Sequence, residues 1–320
     1  MKCLLCGENT KEVIADKLRY GEARKVYHCN NCGLGMLQDS RTEKELKSFY
    51  NRNYRKKFTP KLNQASNPKE LFEVYSNFQS TRIKLIRKFL KKDMKLLEIG
   101  CSAGMFLFQV KKYVREVAGI DYDSKSANFA SQKCSCRVFS DCIDNLKFKK
   151  EEFDIICMFQ VLEHTKNPVK FIEEVSKYLK PKGIIYIEVP NLNDALISAY
   201  NLPNHYNFYF HSAHLWYFTA KSLLGLMRKN NFKGKVYFTQ DYNILNHMHW
   251  ISADGPQSNC LPGLSQPEFR LRDKFPSDKK KKFNAFIQKM DSEYKKILTE
   301  LGITSNLSFI GQKSNSRSKN

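Results

Sequence analysis

Residues 96–104 constrain the fold more than any other part of this 320-residue chain. They read L-L-E-I-G-C-S-A-G, an apolar run that ends in an acid, a glycine, three small or polar residues and a second glycine. This pattern predicts a buried strand that turns tightly into a helix. Gly100 has no Cβ, so a ligand can approach the backbone there, and the first amides of the helix, from about Met105, lack intrahelical partners. Glu98 and the E-x-G-x-x-x-G spacing favour a cationic ligand without phosphates over a dinucleotide.

Further apolar segments follow at the spacing of alternating strands and helices. Residues 117–121 predict a second short strand that ends in an acid, 21 residues past Gly100. Additional strands are predicted at 137–142, 153–160 and 184–190, and a helix at about 168–179 is closed by the K-P-K-G sequence that follows it. Helices at 222–229 and 283–301 and strands at 234–240 and 307–312 complete an α/β sheet.

In these landmarks the chain resembles the class I S-adenosylmethionine-dependent methyltransferases. The resemblance implies a seven-stranded, Rossmann-like α/β methyltransferase sheet with an antiparallel edge, and S-adenosylmethionine (SAM) as the cofactor. It also implies that Asp121 accepts hydrogen bonds from both ribose hydroxyls and that Asp141 faces the adenine amino group. The cofactor-binding residues expected on this basis are Glu98, Gly100, Cys101, Gly104, Asp121, Tyr122, Asp141, Cys142 and Gln160.

Four cysteines near the N-terminus form a second strong pattern. They are two C-x-x-C pairs separated by 22 residues, Cys3, Cys6, Cys29 and Cys32. Two such turns, followed by Gly7 and Gly33, bring four thiolates into the tetrahedron of a structural zinc ribbon, which has no open coordination position. Disulfides or free thiols are the alternatives, but the chain has no apolar leader segment, which favours zinc in a reducing cytoplasm. The complete set of thiolates makes the neighbouring His28 redundant.

The composition fits a folded core with added segments and carries a large positive charge. Hydrophobic residues make up 42%, and no apolar run approaches the roughly 18 residues of a membrane span, so we expect a soluble, cytoplasmic protein. Lys and Arg number 54 against 32 acids, a net charge of +22. This excess favours an anionic partner: a sugar nucleotide or lipid-linked glycan, an anionic membrane surface or a nucleic acid. Scattered lysines on a solvated surface are the alternative.

Residues 41–94 are predicted to be mainly helical. Residues 42–50 begin like a capping box, and residues 70–90 carry apolar side chains at helical spacing. We expect this segment to pack over the mouth of the cofactor site as a lid. Tyr54 matches an aromatic residue with which related enzymes cover the substrate, and a core or surface tyrosine is the alternative.

Residues 205–219 are rich in aromatic side chains and histidines and follow no regular period. Such a mixture is typical of a pocket wall that binds sugar rings. Here the resemblance narrows to zinc-ribbon-bearing methyltransferases of bacterial sugar and surface-glycan pathways, including sugar C-methyltransferases with an aromatic-His-Glu-His-Leu loop. His214 and Leu215 match the end of that loop, whereas Ala213 replaces the glutamate and Ser212 replaces the first histidine.

The missing glutamate favours oxygen as the methyl acceptor. Removal of a proton from carbon needs a supported base, whereas a hydroxyl proton leaves as the new bond forms. We therefore expect O-methylation of a sugar, either a nucleotide-activated sugar or a surface glycan, with C- and N-methylation as alternatives. His214 is the first candidate base, His211 and His164 are its substitutes, and Tyr54 is a candidate orienting group. A purely structural His214 that holds its loop in place is the alternative.

Two further functional classes match parts of the sequence. An rRNA or tRNA base methyltransferase fits the positive charge, and some such enzymes carry a zinc module. However, the Q-V-L-E-H sequence after the fourth strand is not a motif, such as N-P-P-Y, that presents a flipped base. A non-catalytic zinc-ribbon scaffold on a degenerate fold is disfavoured by the intact cofactor residues.

The sequence divides into six parts. In chain order they are a zinc ribbon, a helical lid, the SAM-binding core, an irregular insertion that contains several prolines, the last helix and strand of the core sheet, and a disordered tail. Their bounds are 1–40, 41–94, 95–243, 244–282, 283–313 and 314–320.

Overall fold

The computed structural model of the chain describes residues 1–49, 66–141, 143 and 148–314. This part of the chain contains one seven-stranded sheet and one four-stranded sheet. The strands, in chain order, are β1 (Val13–Lys17), β2 (Ala23–His28), β3 (Gly35–Leu37), β4 (Lys95–Ile99), β5 (Glu116–Ile120), β6 (Arg137–Phe139), β7 (Phe153–Phe159), β8 (Leu179–Pro190), β9 (Trp216–Tyr217), β10 (Phe232–Thr239) and β11 (Asn306–Lys313).

Helices connect these strands and flank the sheets. The α-helices are α1 (Glu43–Phe49), α2 (Pro68–Tyr75), α3 (Ser80–Ile86), α4 (Met105–Val110), α5 (Ser124–Cys134), α6 (Pro168–Ser176), α7 (Ala195–Ser198), α8 (Pro203–Tyr209), α9 (Ala220–Lys229), α10 (Ile244–Ala253), α11 (Leu261–Leu264) and α12 (Ser277–Leu301). Short 3₁₀ turns lie at Arg19–Gly21, Ser76–Phe78, Arg87–Phe89, Lys111–Tyr113 and Leu162–His164. Among the described helices, none combines the length and the apolar character that a bilayer span requires.

The larger sheet has the strand order β10-β11-β8-β7-β4-β5-β6. Its five strands from β8 to β6 are parallel, and β11 is antiparallel to both β8 and β10. The prediction of a seven-stranded α/β sheet with an antiparallel edge is therefore confirmed. From β4 the chain continues to β5 and β6 on one side and then crosses to β7 on the other. This reversal opens a crevice at the carboxyl ends of β4 and β7, where α/β proteins bind ligands.

The central strands are buried on both faces of the sheet. Leu96 and Ile155 lie in one hydrophobic cluster, and Leu97 and Ile156 lie in a second one, because successive side chains of a strand point to opposite faces. All four side chains are fully buried. Continuous apolar runs of this kind are expected in parallel strands that are covered on both faces.

The N-terminal ribbon forms the smaller sheet together with a strand from the distant aromatic segment. Strands β1, β2 and β3 pair in antiparallel order, and β9 adds to β3 as the fourth strand. Gly35 lies opposite Tyr217 in this pairing, where a Cβ on Gly35 would lie 2.8 Å from the Cβ of Tyr217. The ribbon is thus joined by backbone pairing to the segment that carries His211 and His214.

Strand β8 begins earlier than the sequence predicts. The K-P-K-G sequence at 180–183 belongs to β8, whereas the prediction placed it at the end of the preceding helix, which stops at Ser176. Leu179 pairs with Phe153, and the pairing resumes at Ile184 opposite Ile155. Between these two pairs β8 has more residues than β7, so the pairing is interrupted by a bulge. Proline and glycine are tolerated at such a position.

The segment 244–282 is more ordered than the irregular insertion predicted from its prolines. It contains the ten-residue helix α10, whose N-cap Asn243 accepts a hydrogen bond from the backbone N–H of Asn246. The Asn243 side-chain amide donates to the carbonyls of Pro262 and Ser265, at 2.7 and 2.8 Å. Pro262, within the short helix α11, is therefore tied back onto the start of α10.

Candidate active site

The glycine loop between β4 and α4 has the expected strand-turn-helix geometry. Gly100 and Gly104 both have left-handed φ angles, of 74° and 83°. A Cβ on Gly100 would lie 2.3 Å from Cγ2 of Val161, and a Cβ on Gly104 would lie 2.9 Å from Sγ of Cys134. A side chain at either position would therefore clash with its neighbours and fill the turn, which faces the crevice beside β4.

Two acids flank this loop at the ends of neighbouring strands. Glu98 is buried in β4, and Asp121 directly follows β5. Asp121 accepts hydrogen bonds from the backbone N–H groups of Ser102, at 2.7 Å, and Asp123, at 2.9 Å. These bonds hold the Asp121 carboxylate against the loop, and each of its oxygens can accept a further hydrogen bond.

The Glu98 side chain is a buried acid in the floor of the loop. Burial raises the pKa of Glu98 well above its usual value, and the nearby Asp121 adds to this effect while Arg82 opposes it. Within the described part of the chain, Oε2 of Glu98 has no hydrogen-bond partner. A cationic amine such as that of SAM would satisfy this oxygen, so the donor set fits the cofactor.

The other predicted cofactor residues are spread along the same edge of the sheet. Asp141 follows β6, which pairs with β5, and Tyr122 is 42% exposed beside Asp121. Cys101 is buried against Gly119, so its thiol packs inside the loop and does not face the crevice. Cys142 lies outside the described residues.

Gln160 marks the carboxyl end of β7. Its φ angle is +57°, in the left-handed region that side chains other than glycine seldom adopt. Its backbone N–H donates to the carbonyl of Glu188 at 2.8 Å, and its side-chain amide donates to Oδ1 of Asn306 at 3.0 Å. An unfavourable backbone conformation that its neighbours hold in place is frequent at functional sites.

Three predicted catalytic histidines meet in one buried cluster. The ring centroids of His211 and His214 are 3.9 Å apart, and those of His164 and His214 are 4.9 Å apart. Burial lowers the pKa of His164 to about 4 and lowers the pKa values of His211 and His214 well below the usual value. The three imidazoles are therefore uncharged at neutral pH. Tyr54, the fourth predicted catalytic residue, lies outside the described residues.

A carboxyl group that the sequence analysis did not assign to the site completes this cluster. Oε1 of Glu163 lies 3.9 Å from Nε2 of His164 and 3.9 Å from Nε2 of His214. Burial raises the pKa of Glu163 to about 8. The carboxyl group that is missing at Ala213 is thus replaced in space by that of Glu163, which lies in the turn after β7. The only sequence signal for this carboxyl group was that Glu163 directly precedes His164. The second histidine that it faces, His214, lies about 50 residues further along the chain.

Two hydrogen bonds join the turn after β7 to the histidine loop. The carbonyl of Ala213 accepts a hydrogen bond from Nδ1 of His164 at 2.8 Å. The backbone N–H of Leu215 donates to the carbonyl of Glu163, also at 2.8 Å. The two segments are therefore held in one fixed arrangement.

A cavity of about 760 Å³ lies in front of this cluster. It is bounded by the ends of β7 and β8, the segment from Tyr75 to Arg82, the ribbon, the aromatic segment and residues 240–266. Its walls combine polar and aromatic side chains, including Arg19, Arg82, Gln160, Glu188, Phe208, His211, His214, Asp241 and Trp250. The segment 244–282 thus has a role that the sequence did not reveal, since α10 and the loop after it form one wall of the cavity.

Two arginines reach the cavity wall in different settings. Arg82 forms a buried ion pair with Glu188, with 2.5 Å between Nη2 and Oε1. Arg19, from the ribbon, lies 3.5 Å above the ring of Phe208 and donates from Nε to the Phe208 carbonyl at 2.5 Å. Burial lowers the pKa of Arg19 to about 10, which leaves its guanidinium charged at neutral pH.

Comparison with known protein families identifies the core. Residues 71–235, just over half of the chain, match a family described as a methyltransferase domain. The chain belongs to this methyltransferase family. It is therefore a SAM-dependent methyltransferase, and the resemblance drawn from the glycine loop is confirmed at this level.

Individual relatives of the methyltransferase are distant. A ubiquinone biosynthesis O-methyltransferase of Pelagibacter ubique is 25% identical over 218 residues, which cover 62% of this chain and 91% of the relative. A second protein of that name, from Bartonella tribocorum, is 27% identical over 39% of this chain and 58% of its own length. A SAM-dependent methyltransferase structure from Archaeoglobus fulgidus aligns with a TM-score of 0.49 at 19% identity, and covers 77% of this chain and 97% of that one.

The methyltransferase also carries the predicted cluster of four thiols. The Sγ atoms of Cys3 and Cys32 are 3.5 Å apart, as are those of Cys6 and Cys29. Zinc–sulfur bonds of about 2.3 Å place the sulfurs of a tetrahedral site about 3.8 Å apart, so the arrangement fits a metal ion and not disulfides. Each knuckle closes with the same backbone hydrogen bond, from Gly7 to the Cys3 carbonyl at 2.9 Å and from Gly33 to the Cys29 carbonyl at 2.7 Å.

Proposed function

We propose that this methyltransferase transfers the methyl group of SAM to a hydroxyl oxygen of a sugar, in a nucleotide-activated sugar or a surface-glycan precursor. The observation that carries the proposal is the 760 Å³ cavity, whose lining combines aromatic and polar side chains in front of the histidine cluster. Phe208, which packs against the buried Trp250, offers an aromatic side chain for a sugar ring, and Gln240, Asn246 and Gln257 offer polar groups for its hydroxyls. The relatives named for ubiquinone biosynthesis are O-methyltransferases, which supports oxygen as the acceptor atom.

An anionic group on the acceptor fits the charges of the cavity wall. Arg19 stacks on Phe208 at this wall, and a phosphate or carboxylate of the acceptor is proposed to lie against its guanidinium. A nucleotide-activated sugar carries such a phosphate. The net charge of +22 would also favour the approach of an anionic acceptor or brief contact with an anionic membrane surface.

The chemistry requires alignment and the removal of one proton. The C–S bond of the sulfonium breaks as the C–O bond forms in line with it, and the hydroxyl proton passes to a base. We assign this base to His214, with His211 and His164 as substitutes, since His211 and His214 line the cavity. A buried imidazole is a weak base by itself, and Glu163 in its carboxylate form would stabilise the imidazolium that results.

One observation favours a second candidate, C-methylation of a sugar. The absence of a glutamate at residue 213 argued against proton removal from carbon, but Glu163 places a carboxyl group 3.9 Å from His214. A histidine base with a carboxyl group beside it suits the removal of a proton from a carbon atom next to a carbonyl group. Exchange of a carbon-bound hydrogen of the acceptor with deuterated solvent would distinguish this reaction from O-methylation.

Nucleic acid is not our proposed acceptor. In the described structure the turn after β7 buries Leu162 and Glu163 completely, so it offers no exposed loop to hold a flipped base. The ion held by the four thiols is proposed to be a structural zinc, because four protein ligands leave no open position for substrate.

Transfer of labelled methyl groups tests this function directly. The full-length protein is incubated with methyl-labelled SAM and either a panel of nucleotide-activated sugars or total RNA. Label in a sugar nucleotide supports the proposal. Label that appears in RNA and in none of the sugars contradicts it.

A further inference from the structure

We propose that Glu163, His164 and His214 form a second metal site, separate from the four thiols of the ribbon, for a divalent transition-metal ion such as zinc. The site itself does not depend on the acceptor. Its role in the reaction rests on the function proposed above.

The spacing of the three side chains suits one ion between them. Oε1 of Glu163 is 3.9 Å from each of two Nε2 atoms, and the ligand atoms of the three residues all lie within 4.8 Å of one another. Bonds of about 2.0–2.2 Å to a tetrahedral ion would place such atoms about 3.4 Å apart, so the Glu163 oxygen would have to move about 0.5 Å closer to each imidazole. A distance of 3.9 Å is too long for a hydrogen bond. The Glu163 carboxyl group therefore donates no hydrogen bond to either imidazole.

The orientation of His164 is that of a metal ligand. Nδ1 of His164 contacts the carbonyl of Ala213 at 2.8 Å, and a carbonyl only accepts, so Nδ1 carries the proton. Nε2 therefore presents a lone pair towards Glu163. Metal-binding histidines are commonly fixed in this way, with the second ring nitrogen bonded to a backbone carbonyl or a carboxylate.

Burial makes the carboxyl group costly unless a cation neutralises it. Glu163 has no exposed surface, and within the described residues neither of its side-chain oxygens has a hydrogen-bond partner. Leaving a buried carboxyl group without partners is unfavourable, whereas a metal ion would bind one or both oxygens.

The ligand set indicates the class of ion and its use. Two imidazoles and one carboxylate bind zinc in catalytic sites, where three protein ligands leave one position for water or substrate. His214 lines the cavity whereas Glu163 is sealed behind it, so the fourth position would open on the cavity side. An acceptor hydroxyl bound there would lose its proton more readily, because the ion lowers the pKa of a coordinated oxygen. With His214 bound to the ion, the proton would pass to the substitute base His211, which also lines the cavity.

Metal content of the full-length protein tests the proposal without any acceptor. The protein and its variants are loaded with Zn²⁺, freed of excess ion and analysed for bound metal. We expect Glu163→Gln and His214→Ala each to bind one ion fewer than the parent protein. His205→Gln is the matched control, since His205 is a buried histidine of the same cavity wall outside the cluster, and it should bind as much zinc as the parent.

Cobalt substitution assigns each ion to its site. A Co²⁺ ion bound by four thiolates gives an intense sulfur-to-metal charge-transfer band, which the Glu-His-His site cannot give. We expect Glu163→Gln to retain this band while it loses one equivalent of Co²⁺, and Cys6→Ser to lose the band. An equal metal content in Glu163→Gln and the parent protein would overturn the proposal, and this near-isosteric variant decides the question if His214→Ala does not fold.

The test separates this inference from the proposed function. A protein with the second ion that methylates no sugar contradicts the proposed acceptor and leaves the metal site standing. A protein that methylates a sugar while Glu163→Gln keeps its full metal content contradicts the metal site alone.

Discussion

Met36 of the ribbon pairs with Trp216, two residues after His214, in an antiparallel register. The pairing continues in the bond from the backbone N–H of Leu37 to the carbonyl of Leu215, at 2.9 Å. Strand β3 itself begins three residues after Cys32, the last of the four thiols. The thiol cluster, β3 and the histidine loop are therefore consecutive parts of one packed unit.

Loss of the ribbon ion should disturb the histidine loop and leave the cofactor site intact. The chain has two tryptophans, Trp216 and Trp250, so Trp216 is the sole indole in a Trp250→Phe background. In that background we expect Cys6→Ser to shift Trp216 fluorescence to longer wavelength, because the indole loses its buried setting beside β3. SAM affinity, measured by calorimetry, should not change. Unaltered Trp216 emission in a protein shown to have lost the ribbon ion would contradict this coupling, and Cys136→Ser is the control for a thiol outside the ribbon.

Gly100→Ala should weaken SAM binding severely. The added Cβ would lie 2.3 Å from Cγ2 of Val161, and φ at this position is +74°. A clash that costs about 2–3 kcal/mol would reduce affinity about 30- to 150-fold. The second substitution Val161→Ala removes the clashing methyl group and should recover part of the loss.

Gly255→Ala is the matched control for this experiment, since a Cβ there meets no atom closer than 3.6 Å. Calorimetric titration of SAM compares the variants. Equal affinity of Gly100→Ala and Gly255→Ala would show that the loop between β4 and α4 does not hold the cofactor.

His214→Asn should lower turnover and spare the cofactor site. Loss of the group that takes up or activates the acceptor proton reduces the rate by about 10²-fold or more, the usual share of general base catalysis. SAM affinity should stay unchanged, because His214 lines the acceptor cavity and lies apart from the glycine loop. Normal turnover of the variant with the true acceptor would place the base elsewhere.

The buried pair of Arg82 and Glu188 should contribute strongly to stability. Arg82→Met leaves the Glu188 carboxylate without its partner, at 3% side-chain exposure. Removal of one member of a buried pair costs about 3–5 kcal/mol, measured here as the free energy of unfolding in urea. The double variant Arg82→Met/Glu188→Gln should be less destabilised than Arg82→Met, and an equal loss in both would mean that the two side chains are not coupled. Lys177→Met, which removes an exposed pair with Glu174, should leave the unfolding midpoint unchanged.

The sheet was predictable because its signals are local in sequence. The strand, turn and helix around Gly100 occupy adjacent residues, and the apolar runs of β5 and β7 are complete in themselves. Boundaries were less predictable. Lys180 and Gly183 resemble a helix end, but pairing with β7 draws them into β8, and the prolines after α10 concealed a regular helix.

The candidate site was only partly predictable because it joins distant segments. The histidines at 211 and 214 were found from the aromatic pattern, and His164 from its position after a strand. The contact of Glu163 with His214 and the pairing of Met36 with Trp216 were not found, since no local pattern links residues about 50 and 180 positions apart. Arg19 was overlooked for the same reason, as only the docking of the ribbon brings it to the cavity.

The most direct test of the account is a calorimetric titration of SAM into the full-length protein and into Asp121→Asn. We predict one SAM per chain in the parent protein. We predict affinity about 10- to 100-fold weaker in the variant, because a hydrogen bond to a charged group contributes about 1.5–3 kcal/mol. A parent protein that binds no SAM, or a variant that binds it as tightly as the parent, would contradict the central claim that the crevice beside β4 and β5 is the cofactor site of a methyltransferase.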